Sequence, residues 1–169
     1  GAANTFGGDT RLAAGTLILG AVNALQNSTL DMNAADAGSI DFSTYDATLG
    51  GLKGSRNLDM GGRTLSIGNN GQSTEYSGAL GNGALTKIGS GVLTLSGSNT
   101  YSGVTTVSAG TLGIQHANAL GDTASGTTVS DGAALEIQGG ITTAAEPLTI
   151  NGSGTSGEGA LRNVSGDNT

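Results

Sequence analysis

Short runs of alternating apolar and polar residues recur along the whole chain. Leu93 and Leu95 alternate with Thr94 and Ser96, Thr105 and Val107 alternate with Thr106 and Ser108, and Leu112 and Ile114 bracket Gly113. A period of two sends one set of side chains to a buried face and the other to solvent, as in a half-buried strand. Read this way, the chain carries strands near Thr10–Ala13, Thr16–Leu19, Ser28–Met32, Ser39–Phe42, Thr48–Leu52, Arg56–Met60, Arg63–Ile67, Thr74–Leu80, Ala84–Ile88 and Val92–Leu95. Further strands fall near Thr127–Ser130, Ala134–Ile137, Pro147–Ile150 and Ala160–Val164. Gly, Asn, Asp and Ser punctuate the runs and suit tight turns. No run is long enough for a substantial helix. A chain that turns every few residues while burying one face each time coils on itself.

A repeat strengthens this reading. Residues 4–25 (NTFGGDTRLAAGTLILGAVNAL) align without a gap on residues 99–120 (NTYSGVTTVSAGTLGIQHANAL), with 11 of 22 positions identical. The 95-residue offset persists at Ile40 and Leu135 and at Phe42 and Ile137, so repeat copies lie near 4–42 and 99–137. The end of the chain, SGDNT, matches SGSNT at 96–100, which places the start of a third copy near 161–169. Both ends fall at one phase of the repeat, so residues 1–169 read as a single segment of a longer array. Duplication favours stacked coils over a sandwich, and Asn-Gly hairpin turns are few: Asn70-Gly71, Asn82-Gly83 and Asn151-Gly152. At about 20 residues a coil, about eight coils are expected.

Composition agrees. The chain has 32 glycines, one proline and only 3% aromatic residues, too few large side chains for a thick core. A quasi-one-dimensional core needs fewer, because each coil packs only on its neighbours. Disorder is the rival reading of so much Gly, Ser, Thr and Asn, but the Leu, Ile and Val residues are patterned, not scattered. The net charge of −7 and six unclustered Lys and Arg argue against nucleic acid. No apolar run approaches the ~18 residues that span a bilayer, so membrane insertion by this segment is not expected. Without cysteine there is no disulfide framework and no thiolate metal site.

The stretch 83–114 carries a denser pattern: Leu85-Thr86-Lys87, Gly89, Gly91, Leu93 through Gly97, Asn99-Thr100-Tyr101, Gly103, Thr105-Thr106 and Gly110-Thr111-Leu112. This resembles the passenger-associated transport repeat of bacterial autotransporters (type V secretion). Residues 4–20 keep its second half, with Phe6 for Tyr101 and Arg11 for Thr106. The resemblance implies a right-handed parallel β-helix displayed outside a bacterial cell. It also implies a non-enzymatic stalk that supports passenger translocation and folding. On the same ground the passenger serves adhesion or autoaggregation, with surface glycans, proteins or further copies of itself as partners. The repeat positions implied to be structural are Leu85, Lys87, Gly89, Leu93, Leu95, Asn99, Tyr101, Gly103, Gly110 and Leu112.

Candidate chemistry is sparse. His116, the single histidine, follows a strand in a predicted turn and has no cysteine or carboxylate pair to complete a zinc site. GSGTSG at 152–157 fits a dinucleotide fingerprint but is followed by another strand, where that fingerprint needs a helix. No cofactor is expected. The acids offer one pattern. Asp31, Asp41, Asp59 and Glu136 each lie between two apolar residues, so alternation turns them outward. If Asp41 and Asp59 sat on adjacent coils, about 5 Å apart, they would suit Ca²⁺ or a glycosidic acid–base pair, with Glu136 as the repeat equivalent of Asp41. This leaves a carbohydrate-binding or polysaccharide-degrading β-helix as the alternative. Phe6 and Tyr101, equivalent in the repeat, are expected to be partly buried rings covering a turn.

Overall fold

The computed structural model describes residues 4–169. Fifteen strands lie among them: β1 (Thr10–Arg11), β2 (Thr16–Ile18), β3 (Leu25–Met32), β4 (Ser39–Asp41), β5 (Thr48–Gly54), β6 (Leu58–Ile67), β7 (Thr74–Tyr76), β8 (Leu80–Lys87), β9 (Val92–Leu95), β10 (Thr105–Val107), β11 (Gly110–Ile114), β12 (Thr127–Val129), β13 (Ala133–Gln138), β14 (Leu148–Ile150) and β15 (Leu161–Ser165). The helical content of the described residues is one short 3-10 turn, Thr155–Gly157.

Every strand pair is parallel, and the strands form three ladders. Face A runs Thr10–Leu30–Leu52 and then, two residues on in β5, Gly54–Tyr76–Leu95–Ile114–Ile137–Asn163. Its eight rungs are separated by seven turns of 20, 22, 22, 19, 19, 23 and 26 residues. Face B pairs β2 with β4 and the start of β6 with the start of β8, and continues through Thr100 N, which donates to Leu80 O. Face C runs Leu25–Leu49–Ile67–Lys87–Val107–Val129–Ile150. The chain is an all-β parallel β-helix, and parallel crossovers of this kind are right-handed in nearly all proteins.

Alternation explains the core. Leu93, Leu112 and Leu135 occupy one register position on consecutive turns of face A and are all buried. Each buried Leu contributes about 1.5–3 kcal/mol relative to exposure. Strand boundaries follow the corners. The stretch 74–80 divides into β7 and the start of β8 because Gly78 turns the corner against Arg56 O, which a Cβ would overlap. Conversely, the stretches 56–60 and 63–67 join as β6 across a bulge at Gly61-Gly62. At the corner between faces C and A, Gly89 (φ 67°) sits directly on Gly68 O, where any side chain would collide.

The 95-residue repeat is out of step with the coil. Thr10 stands on face A, whereas its equivalent Thr105 stands on face C. Residues 161–165, equivalent to 92–96, return to face A.

Candidate functional site

The leucines of the 83–114 motif point inward. Leu85, Leu93, Leu95 and Leu112 are buried core. Asn99, also buried, joins three consecutive turns of face B. Leu80 N donates to its Oδ1 at 2.8 Å, and its Nδ2 donates to Ala119 O at 2.6 Å. Tyr101 is 0% exposed, and its hydroxyl pairs with that of Thr105 at 2.6 Å. Both groups are thereby satisfied in a site that would penalise either alone. Burial pushes the phenols of Tyr76 and Tyr101 up. Phe6 departs from its repeat equivalent, at 47% exposed on the first described turn.

Lys87 is the unusual member. It stands in the face C stack between Ile67 and Val107 and is 1% exposed. Its ammonium donates to Ile88 O at 2.7 Å, Gly89 O at 2.9 Å and Ala109 O at 3.1 Å, closing the corner carbonyls of two turns. Among the described residues it has no carboxylate within ion-pair range. Burial pushes its pKa down to about 8. The signal for this burial was in the alternation, since Lys87 shares parity with Leu85.

The acids do not converge. Asp41 Oδ1 accepts from Ser43 N at 2.7 Å, and Asp59 Oδ1 accepts from Gly61 N at 2.8 Å, so each carboxylate closes its own turn. Asp59 Oδ2 also accepts from Asn82 Nδ2 at 3.1 Å. β4, which carries Asp41, pairs with β2 alone among the described residues. Glu136 lies on face A and pairs with Arg162 of the next turn at 3.0 Å. The three acids therefore serve three separate local roles. His116 occupies a turn, its Nδ1 accepting from Asn118 N at 3.0 Å. GSGTSG forms the 3-10 turn between β14 and β15, without the helix that a dinucleotide site requires. Arg63, which the sequence did not single out, is the cation left without a salt-bridge or hydrogen-bond partner among the described residues.

Comparison with known proteins points one way. The passenger-associated-transport-repeat family matches residues 1–19 and 85–114. The adhesin BmaC autotransporter of Brucella suis biovar 1 (strain 1330) is 32% identical over 174 aligned positions, covering 98% of this chain. The chain spans 5% of the length of that relative. No solved structure matches significantly. With two copies built into one stack of parallel coils, the chain carries the passenger-associated transport repeats of autotransporter passengers.

Proposed function

We propose that this segment is a non-enzymatic stalk element of a cell-surface passenger, and that its coils fold one upon the next as the chain emerges. The observation that carries this reading is the ladder of face A, in which each rung pairs only with the turn before and the turn after. Such a stack can grow by adding single coils, each templated by the last, with no ATP or chaperone. The likeness to an adhesin supports a place on an adhesive passenger, with surface glycans, surface proteins or further copies as partners.

The test belongs in the complete passenger. Replacing Gly89 and Gly110 together by Asp should block closure of two coils, since a side chain at either position overlaps the turn below. The expected result is stalled display, read as loss of surface-labelled passenger on intact cells at unchanged expression. Full display of a protease-resistant passenger would overturn the stepwise reading. Release of reducing ends from polysaccharides by the purified segment would overturn its non-enzymatic part.

A further inference from the structure

One surface is built differently from the rest. At the corner between faces B and C, three consecutive turns enclose a groove of about 400 Å³. The bulge that joins the halves of β6 forms one wall. Gly61 (φ 63°) and Gly62 (φ 74°) swing the chain outward there, and the register slips between Asp59 and Arg63. Gly83 and Gly103 form the floor, each packed so closely on the turn below that a Cβ would meet its backbone. Polar groups line what remains: Arg63, Thr64, Asn82 and Ser102.

Arg63 gives the groove its chemistry. Arg11, Lys53 and Arg162 are paired with carboxylates. Arg56 and Lys87 are occupied by backbone carbonyls. Among the described residues Arg63 has neither kind of partner, and its Nε is buried with no acceptor. Its two terminal Nη groups, also without a partner among the described residues, offer a planar pair of donors suited to a carboxylate. Asn82 is fixed in place by its amide donation to Asp59, which leaves its carbonyl oxygen free to accept from a ligand hydroxyl. A second hollow of about 160 Å³ adjoins the first across Asn82 and adds Asn57, Asp59 and Thr100. The trough therefore runs from a cationic end to an end rich in amide, hydroxyl and carboxylate groups.

We infer that this trough binds a carboxylate-bearing sugar of a surface glycan, a uronate or a sialate, with the acid on Arg63 and the ring hydroxyls on Asn82 and its neighbours. Peptides fit poorly, because the trough lacks apolar pockets and the strands beneath it are already paired on both sides. Among the described residues the site is shallow and has no aromatic platform, so its binding is weak. The inference goes beyond the stalk reading, which stands whether or not sugar binds.

The test uses the whole chain. Oligogalacturonate and sialyllactose are titrated by NMR or calorimetry beside the methyl ester of the former and neutral galactose oligomers. The expected result is saturable binding of at least one acidic probe and none of the ester or neutral sugars. Arg63→Gln should weaken that binding by about tenfold or more, the value of a charged hydrogen bond. Arg63→Lys should restore part of it, and Arg11→Gln should leave it unchanged. Absence of saturable binding by both acidic probes overturns the proposal, as does equal binding by a well-folded Arg63→Gln chain. Equal competition by acetate would reduce the site to a general carboxylate trap and overturn the sugar assignment. Should Arg63→Gln lower the melting temperature, the ester comparison on the unaltered chain decides.

Discussion

Lys87 makes the stability of this β-helix depend on pH in an uncommon direction. Its ordinary pKa of 10.5 falls to about 8 in the folded chain because burial disfavours the ammonium. Below pH 8 both states hold the proton, and the fold carries a buried charge at a cost of about 3 kcal/mol relative to the neutral amine. Between pH 8 and 10.5 the folded chain releases its proton first. The unfolded state then binds more protons, so stability rises with pH. From pH 7 to 9.5 the gain is about 2 kcal/mol. Tyr76 and Tyr101 act oppositely. Their pKa values are raised above 10.0, so stability falls once the unfolded phenols ionise, which removes only a few tenths of a kcal/mol by pH 9.5. Lys87→Met removes three hydrogen bonds worth about 1 kcal/mol each and also the buried charge, so the two effects nearly cancel at pH 7. At pH 9.5 the neutral amine keeps two N–H donors, so the substitution costs about 2 kcal/mol. For a chain of this length the wild-type melting temperature should climb by about 4–8 °C over this range. Circular dichroism melts of both proteins at the two pH values test this. A flat wild-type profile, or an equal rise in Lys87→Met, would refute the assignment to this lysine.

Three further outcomes follow from the packing. Tyr101→Phe strands the buried Thr105 hydroxyl and should destabilise the chain by about 1–2 kcal/mol, while Phe6→Leu should change it by less than about 0.5 kcal/mol; urea denaturation distinguishes them. Asn99→Ala leaves Leu80 N and Ala119 O without partners and should cost about 2–4 kcal/mol, with hydrogen exchange accelerated first at Leu80. Gly89→Ala places a Cβ on Gly68 O at positive φ and should cost more than about 2 kcal/mol, or prevent folding; an unchanged melting temperature would contradict the corner geometry.

The alternation at Leu93–Ser96 or Thr105–Ser108 makes the strands and the coil legible in the sequence, because a period of two is a local property. What lay beyond it depended on contacts between turns. Nothing around Gly61-Gly62 announces that the chain bulges there and continues as one strand, and nothing near Gly78 announces a corner; both are set by the backbone one turn away. The acids show the same limit. Asp41 and Asp59 are exposed, and their partners, Ser43 N and Gly61 N, come from turns that the pattern does not specify. Arg63 was invisible as a site because being unpaired is a property of every other charge in the chain. Lys87 was readable in principle: its parity with Leu85 placed it in the core, against the ordinary preference of lysine for water.

The mismatch between repeat and coil sets the azimuth of whatever a passenger of this kind displays. A step of 95 residues carries the motif from face A through four turns and on to face C, about two-thirds of a revolution. A step of 69 residues brings it back to face A. Motifs spaced by the longer interval climb the stalk like the treads of a spiral stair and offer their corners to every side. Deleting one 95-residue interval would therefore do more than shorten the stalk. It would swing everything beyond it by about a third of a turn relative to the cell.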